Sequence, residues 1–368
     1  MENLVRGWQG RRVLLTGHTG FKGGWLGLWL ARLGAQIRGY ALAPATEPNL
    51  FTTAGVGSVL DDVRGDLLDR VRLEAAVQEF APEVVFHLAA QPLVRRSYAD
   101  PVDTYATNVM GTAHLLEAVR KTPSVRAVVC VTTDKCYENR EWVWPYRETD
   151  PLGGHDPYSS SKACAEIVSA AYRSSFFSVE DGRVALATAR AGNVIGGGDW
   201  SEDRLIPDLI RGFCAGKPVL IRRPQAIRPW QHVLEPLHGY ILLAEQLLSG
   251  EQRFATAFNF GPADDESWTV ERIADSLAAG WGDGAKWIAG ADPGVHEAGL
   301  LRLDASKARA LLGWQPRLGL QSALEWTLRW HREYTSGRDM RQPTLQQIEE
   351  YERRLLTGDW AANSPDKT

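Results

Sequence analysis

Cysteine is scarce in this chain of 368 residues. Its four cysteines form no CxxC pair and follow no regular spacing, which excludes a disulfide scaffold. The eight histidines are also scattered, and none is paired four residues from another beside a carboxylate, as a helical metal site requires. We therefore expect a protein of the reducing cytoplasm that holds no metal. The cysteines are Cys130, Cys136, Cys164 and Cys214.

Long apolar runs and a strong charge imbalance are also missing. No apolar run reaches the roughly 18 residues of a membrane-spanning helix, and the first residues lack the layout of a signal peptide. The 41 lysines and arginines nearly balance the 45 aspartates and glutamates. A formal net charge of −4 gives no bulk reason to bind nucleic acid or an anionic membrane. We expect a soluble, globular protein without either partner.

The first half of the chain alternates two kinds of pattern. Short runs rich in Val and Leu have the length of buried parallel strands, and the segments between them repeat apolar residues every three or four positions. This alternation predicts an α/β fold, a Rossmann-type doubly wound parallel sheet. The predicted strands are 13–15, 36–42, 84–89, 127–132 and 184–189, and the predicted helices are 22–33, 70–80, 108–121 and 159–176.

The second half has a different texture from about Gly192 onward. Glycines and prolines become frequent, and helical patterns at 237–248, 270–279 and 345–356 are separated by longer loops. We predict a dinucleotide-binding domain at 1–190 and a smaller, mixed α/β substrate-binding lobe at 191–356. Part of this lobe is expected to return to the sheet of the first domain. Residues 357–368 are expected to form a tail.

A glycine-rich turn follows the first predicted strand. Residues 17–23 read GHTGFKG, spaced GxxGxxG, and a helical pattern begins within them. Glycines allow a tight turn and close approach of the backbone to a pyrophosphate, which then faces the N-terminus of the following helix. In this strand–turn–helix context the spacing predicts a dinucleotide site.

The second predicted strand lacks a feature that NAD-selective folds usually carry. No acidic residue ends the segment 37–42 to bind the ribose diol, and Arg38 nearby would suit a 2′-phosphate. The strand therefore leaves NAD and NADP both open. Asp66 is a candidate for the adenine end of the cofactor, although it would serve equally as the N-cap of the helix from Arg70.

Tyr158 and Lys162 are spaced YxxxK at the start of a predicted helix. Four residues are about one helical turn, so the two side chains share a face. An ammonium beside a phenol favours the phenolate, so we expect Lys162 to lower the pKa of Tyr158 from about 10 and make it a base.

Several segments together resemble one family over nearly the whole chain. They are GHTGFKGGWL (17–26), TTDKCYEN (132–139), GGHDPYSSSKACAE (153–166), AGNVIGGGDW (191–200), DRLIPDLIR (203–211) and LDASKARALLGW (303–314). They resemble the extended short-chain dehydrogenases/reductases that act on nucleotide sugars, and within them the CDP-glucose 4,6-dehydratases. The diagnostic part is Thr133-Asp134-Lys135, because related dTDP-glucose dehydratases carry Asp-Glu at the last two positions and simple epimerases lack such a pair.

The resemblance implies the catalytic roles. Tyr158 would be the base for oxidation at C4 of the sugar, Lys162 would hold the nicotinamide ribose, and Thr133 would complete the triad. Asp134 would protonate the departing hydroxyl. Lys135 would take part in removing the C5 proton, or would stabilise the enolate electrostatically, since an ammonium cannot accept a proton.

The resemblance also implies the ligands. The cofactor would be NAD, the substrate CDP-glucose, and the product a 4-keto-6-deoxy sugar nucleotide of deoxysugar or surface-polysaccharide biosynthesis. A guanidinium suits bidentate phosphate contacts, and Arg204, Arg222, Arg223 and Arg228 are clustered in the second half. Arg228 is the first choice for the diphosphate, because it stands where related nucleotide-sugar enzymes have a phosphate-binding arginine. The implied cofactor contacts are Gly17, Thr19, Gly20, Phe21, Lys22, Gly23, Asp66, Leu67, Leu88, Ala89, Ala90, Asn108, Tyr158 and Lys162. The implied substrate contacts are Asn193, Asp199, Trp200, Arg204, Arg228, Asn259 and Glu297.

Two alternatives stay open, and one assembly is expected. The chain would otherwise be another nucleotide-sugar 4,6-dehydratase or 4-epimerase, or a nicotinamide-binding sensor without catalysis. The family usually forms homodimers through a four-helix bundle. In this chain the helices at 108–121 and 159–176 would build that bundle, in a homodimer or a higher homo-oligomer.

Overall fold

The structure is a computed structural model that describes residues 7–177, 184–263, 268–282, 284–290 and 299–357. Its strands are β1 (Arg12–Thr16), β2 (Gln36–Ala41), β3 (Asp61–Arg64), β4 (Val84–His87), β5 (Ala127–Val131), β6 (Ala185–Ala191), β7 (Val194–Ile195), β8 (Val219–Ile221), β9 (Gln231–His232), β10 (Ala257–Phe260) and β11 (Trp287–Ala289). Seven of them form one parallel sheet in the order β10-β6-β5-β4-β1-β2-β3. This order is the doubly wound Rossmann arrangement with one added strand, and it confirms the predicted fold class.

Helices cover the sheet and build the remainder of the described chain. They are Phe21–Arg32, Leu50–Thr53, Arg70–Phe80, Val94–Ala99, Pro101–Tyr105, Gly111–Arg120, Pro157–Tyr172, Leu205–Cys214, Leu234–Leu248, Val270–Trp281, Ser306–Leu312, Leu320–Thr335 and Arg341–Thr357. Single turns of other helix types lie at Val56–Ser58, Ala106–Met110, Asp134–Cys136, Arg173–Phe177 and Gln252–Phe254. None of the described helices is long and apolar enough to cross a membrane.

The five predicted strands and four predicted helices of the first half are all present, with shifted ends. Two strands of the sheet were not predicted. β3 reads DDVR and is partly exposed at the edge of the sheet, so it lacks the apolar run by which buried strands are recognised. β10 comes from the second half and pairs with β6 at the opposite edge.

The second half of the chain packs against the main sheet and also forms an apolar core of its own. Helix Leu234–Leu248 packs over β5 and β6, in the same apolar core as the first helix. A separate core forms among helices Leu205–Cys214, Val270–Trp281 and Leu320–Thr335, beside the two-stranded sheet of β8 and β11. The last helix returns to the first one, where Glu352 accepts a hydrogen bond from the Trp29 indole at 3.0 Å. The cleft between the two cores is therefore bordered by both halves of the chain.

Candidate active site

The glycine-rich turn has the geometry of a phosphate cradle. Gly17 has φ +76°, and a Cβ there would lie 2.6 Å from the amide nitrogen of Ala89. A Cβ on Gly23 would overlap the carbonyl oxygen of Gly17. Gly20 is the N-cap of helix Phe21–Arg32 and has no side chain to cap it. The first-turn N–H groups therefore remain available to an anion, and the turn fits the pyrophosphate of a dinucleotide.

Arg38, on the second strand, forms ion pairs with two acidic side chains of the protein. Arg38 lies 2.6 Å from Asp61 and 3.2 Å from Glu79, and its guanidinium stacks over the Phe80 ring. Its side chain lies between the sheet and helix Arg70–Phe80, where it also donates to the Ala76 carbonyl. The structure therefore does not offer Arg38 to a 2′-phosphate, contrary to that expectation.

Two of the expected cofactor contacts make well-defined contacts with the protein itself. Asp66 accepts a hydrogen bond from the Leu68 amide at 2.9 Å, whereas the N-cap of helix Arg70–Phe80 is Asp69. The capping alternative for Asp66 is therefore wrong. The Asn108 amide group donates to the carbonyl of Gln91 and to Oγ of Ser161, and it accepts from the Gln91 amide. These bonds join the loop after β4 to the helix that carries Tyr158.

A cavity of about 570 Å³ opens between the two halves. Both the YxxxK pair and Arg228 border it, although about 70 residues separate Tyr158 from Arg228 along the chain. Leu67 lies instead in the core beside the sheet, and Ala89 presents its backbone to Gly17. The expected site residues that line the cavity are Phe21, Lys22, Leu88, Ala90, Thr133, Asp134, Lys135, Tyr158, Lys162, Asn193, Asp199, Arg204 and Arg228.

Helix Pro157–Tyr172 carries the YxxxK pair and is called the catalytic helix. Side-chain hydrogen bonds cap its first turn. Asp156 accepts from the amide and hydroxyl of Ser159 at 2.9 and 2.6 Å. The Tyr158 amide donates to Oγ of Ser97 at 3.1 Å. One turn later, the Lys162 ammonium donates to the carbonyl of Val131 at 3.2 Å. Both YxxxK side chains are thus buried at the end of β5 and face the cavity.

Burial, rather than the neighbouring lysine, dominates the titration of Tyr158. Loss of solvent raises its pKa to about 12, against a hydrogen bond with Thr133 and the positive charge of Arg204. Burial also lowers the pKa of Lys162 to about 8, so the charged ammonium form of Lys162 is disfavoured as well. The expectation that Lys162 lowers the pKa of Tyr158 below 10 is therefore wrong for this structure, because desolvation penalises both charged forms.

Asp134 has the properties of a proton donor. It lies on the single turn Asp134–Cys136 and is 1% exposed. Its Oδ1 accepts from the Thr133 hydroxyl at 3.0 Å, while Oδ2 has no hydrogen-bond partner within the described chain. Burial raises the pKa of Asp134, opposed by the charges of Lys135 and Arg228. A buried carboxyl group with a raised pKa beside a cavity fits a general acid.

The cationic end of the cavity comes from the second half. Arg204 pairs with Asp199 at 3.1 Å. Arg228 donates to the carbonyls of Ile227 and Gly299 at 2.9 and 3.1 Å, which fixes the guanidinium at the cavity wall. Arg222 and Arg223 also line the cavity. Several guanidinium groups around one cleft can bind a diphosphate.

Two of the expected substrate contacts do not line this cavity. Trp200 packs against the rings of Trp330, His331 and Tyr334, in an aromatic core. Asn259 is fully buried in β10. Its side-chain amide accepts a hydrogen bond from the Tyr137 hydroxyl and donates to two backbone carbonyls. The contacts of these two residues assign them to packing and to loop positioning. Glu297 lies outside the described residues.

The sequence reasoning missed a buried ion pair behind the site. Glu166 and Arg190 approach to 2.8 Å with side chains 3% and 4% exposed. Glu166 follows Lys162 by four residues, which puts it on the same buried face of the catalytic helix. That spacing was the available signal, but a lone glutamate in a helix is usually solvated.

Comparison with known proteins decides the family. The model of the GDP-mannose 4,6 dehydratase family matches residues 14–327. The CDP-glucose 4,6-dehydratase of Salmonella typhimurium (strain LT2) is 52% identical over 347 residues, which cover 94% of this chain and 97% of that protein. The chain belongs to the GDP-mannose 4,6 dehydratase family. Membership confirms the resemblance to the extended short-chain dehydrogenases/reductases of nucleotide sugars.

One further relative and two solved structures are similar to this chain. A dTDP-glucose 4,6-dehydratase of Streptomyces antibioticus is 30% identical over 335 residues, or 87% of this chain and 92% of that protein. Among solved structures, a UDP-glucose 4-epimerase of Thermotoga maritima with UDP-glucose gives a TM-score of 0.77 at 22% identity, over 88% of this chain and 99% of that one. A dTDP-glucose 4,6-dehydratase of Streptomyces venezuelae with NAD bound gives 0.74 at 24% identity, over 88% and 98%. These two structures share the fold.

Proposed function

We propose that this member of the family is a CDP-glucose 4,6-dehydratase that uses NAD. One observation carries the proposal: Asp134, a buried acid with an unpaired oxygen, borders the same cavity as Tyr158 and Lys162. An oxidoreductase alone would need only the last two. The 52% identity to a CDP-glucose 4,6-dehydratase over almost the whole chain supports both the reaction and the substrate.

The cofactor would lie along the glycine-rich turn, with its pyrophosphate at the N-terminus of helix Phe21–Arg32. Gly17, Gly20 and Gly23 leave room for it, and Leu88 and Ala90 border the adjoining cavity. When bound, NAD supplies a cationic nicotinamide that accepts a hydride from C4 of the sugar and returns it to C6.

Oxidation at C4 requires a base for the sugar hydroxyl. Tyr158 would take that proton, with Thr133 hydrogen-bonded beside it. The positive charge of Arg204 acts against the raised pKa of the phenol. Lys162 would hold the nicotinamide ribose, although its present hydrogen bond goes to the Val131 carbonyl.

The 4-ketone acidifies the C5 proton and makes loss of water possible. A base removes the C5 proton, and Asp134 gives its proton to the C6 hydroxyl, which leaves as water. Hydride then adds to C6 and a proton to C5, so the cofactor ends in its starting form. We assign C5 deprotonation, or stabilisation of the enolate, to Lys135, which lines the cavity beside Asp134.

The nucleotide would occupy the cationic end of the cavity. We assign the diphosphate to Arg228, with Arg204 beside it, and one sugar or phosphate contact to Asn193. Asp199 would act by orienting Arg204, with which it pairs. A compact set of guanidinium groups suits a single diphosphate and agrees with the near-zero net charge of the whole chain.

We also propose a cytoplasmic homodimer. Apolar side chains lie exposed on the segments 108–121 and 159–176 that would build the four-helix bundle, as Met110, Ile167 and Phe176 are each about half exposed. Covering such a patch with a second copy would remove it from water. The thiols of all four cysteines are free, which suits a reducing compartment.

The experiment is to incubate the purified protein and NAD with CDP-, dTDP-, UDP- and GDP-glucose. Mass spectrometry of each product should show a CDP-sugar lighter by one water, and little change with the other three. The Tyr158→Phe variant is the matched control, because it lacks only the base. An unchanged mass with an altered sugar configuration would indicate an epimerase, and preference for another base would overturn the cytidine assignment.

A further inference from the structure

A buried polar network lies behind the catalytic residues and has no part in the reaction described above. Its centre is Glu166, on the catalytic helix four residues after Lys162. The Glu166 carboxylate accepts hydrogen bonds from the hydroxyls of Thr132 and Thr188 and from the guanidinium of Arg190, at 2.5, 2.7 and 2.8 Å. Each carboxylate oxygen thus has a protein partner.

The network holds both ends of the turn that carries the proposed acid. Thr132 comes directly before Thr133, and Tyr137 comes directly after the turn Asp134–Cys136. Arg190 donates to the Tyr137 hydroxyl at 2.8 Å as well as to Glu166. The two arms of the network therefore fix the acid-bearing turn, from either side, to the catalytic helix.

The Glu166 carboxylate stays ionised in this buried place. Burial raises its pKa, but the Arg190 guanidinium and the hydrogen bonds from Arg190, Thr132 and Thr188 outweigh that effect, so the pKa is lowered. An ionised carboxylate this deep is costly unless it is paired and fully hydrogen-bonded, as it is here. A fixed negative charge therefore stands one helical turn from Lys162.

Among the described groups that act on Lys162, Glu166 is the carboxylate, and the others are two thiols, an imidazole and an ammonium. Burial raises the pKa of the Cys130 thiol on β5 to about 12, and that of Cys136 well above its usual value. His87 on β4 is neutral, because burial lowers its pKa to about 3. Lys22, on the first helix, adds a like charge.

We propose that Glu166 is a positioning residue: its carboxylate, which is paired with Arg190, stabilises the Lys162 ammonium from one helical turn away and joins the acid-bearing turn to the catalytic helix. Its part in the reaction rests on the proposed dehydratase function. Its electrostatic part does not, because it concerns only Glu166 and Lys162. The two can therefore fail separately.

The test measures Lys162 directly. The chain has eight lysines, so protein labelled with ¹³C at lysine Cε gives few signals, and Lys162→Arg assigns one of them. In Glu166→Gln the titration midpoint of Lys162 should fall by about one pH unit or more, a tenfold change in its proton affinity. The same variant should catalyse the loss of water from CDP-glucose with a kcat about tenfold lower and an unchanged KM.

Glu235→Gln is the matched control. Glu235 is also fully buried and accepts three hydrogen bonds, from the amides of Arg317 and Leu318 and from the Tyr351 hydroxyl. It lies away from the cavity, so this variant should lose stability while Lys162 titrates as in the parent. A merely structural role for Glu166 predicts the same pattern for both variants.

Every outcome decides the question. An unchanged Lys162 midpoint in folded Glu166→Gln, or an equal shift in Glu235→Gln, overturns the proposal. If Glu166→Gln fails to fold, the double variant Glu166→Gln/Arg190→Met, which leaves no unpaired guanidinium, is compared with Arg190→Met alone; the proposal then requires a lower Lys162 midpoint in the double variant. If the parent protein releases no water from CDP-glucose, the proposed function fails, and the titration result still stands or falls by itself.

Discussion

The two ends of the cavity are built in different ways. The catalytic end uses backbone and buried groups: a glycine turn with no room for a side chain, an acid that is 1% exposed, and an ion pair below 5% exposure. The substrate end uses arginine side chains that are 27% and 35% exposed, as at Arg222 and Arg204, and that pair with nearby acids. Reaction requires fixed atoms, whereas binding a flexible diphosphate tolerates adjustable ones. Substitutions at the first end should therefore act sharply, and those at the second end gradually.

The largest effect is expected at Asp134. Asp134→Asn keeps the shape but cannot donate a carboxyl proton, so C4 oxidation should remain while water loss falls by about 100- to 10,000-fold. Absorbance of reduced nicotinamide in a single turnover reports the first step, and product mass reports the second. Water loss at the parental rate would place the acid elsewhere in the cavity.

A smaller, graded effect is expected at Arg228. Arg228→Gln removes one charged hydrogen-bond donor from the diphosphate, which should weaken CDP-glucose binding about 10- to 100-fold. Titration calorimetry with CDP measures this loss without turnover. The control is Arg338→Gln, because Arg338 is 64% exposed and pairs only locally with Glu333. A loss of kcat without a loss of affinity would break the contrast between the two ends.

Acid should destabilise the fold through buried histidines in the second half. Burial lowers the pKa of His232 and of His238 to about 3, so folding favours their neutral forms. Their contribution is complete above pH 6.5 and is lost as the pH falls toward 3, by about 2 kcal/mol each by pH 5. Burial raises the pKa of Glu235 to about 7, which acts in the opposite direction.

Urea unfolding of the parent protein and of His238→Phe at pH 7 and pH 5 tests this. The variant should lose less stability on acidification than the parent. An equal loss in both would show that His238 does not contribute to the acid sensitivity.

The smallest effect is expected at Arg38. Because Asp61 and Glu79 already hold its guanidinium, Arg38→Gln should leave the preference between NAD and NADP unchanged. Binding constants for both cofactors check this. A change in that preference would mean that Arg38 leaves its ion pairs in the bound state.

Particular residues mark how far the sequence could be read. The GxxGxxG turn and the YxxxK pair were legible because each is a local pattern with a local geometric reason. Strand β3 was not, since an edge strand reading DDVR carries no apolar run. Trp200 and Asn259 were expected to contact the substrate because of the family resemblance, but their burial and their neighbours are not visible in the sequence. The pKa of Tyr158 was misjudged because Lys162, one helical turn away, suggests a charge effect, whereas desolvation depends on the whole fold.

The sequence by itself determined the βαβ order, the glycine turn, the spacing of Tyr158 and Lys162, and the family. The first three are patterns that can be recognised within short stretches of sequence, and the family follows from similarity spread along the chain. Only the tertiary structure decided that Arg228 borders the same cavity as Asp134, that Glu166 pairs with Arg190, and that Arg38 pairs with Asp61. Those facts depend on which distant segments exclude water together, and no local pattern records this.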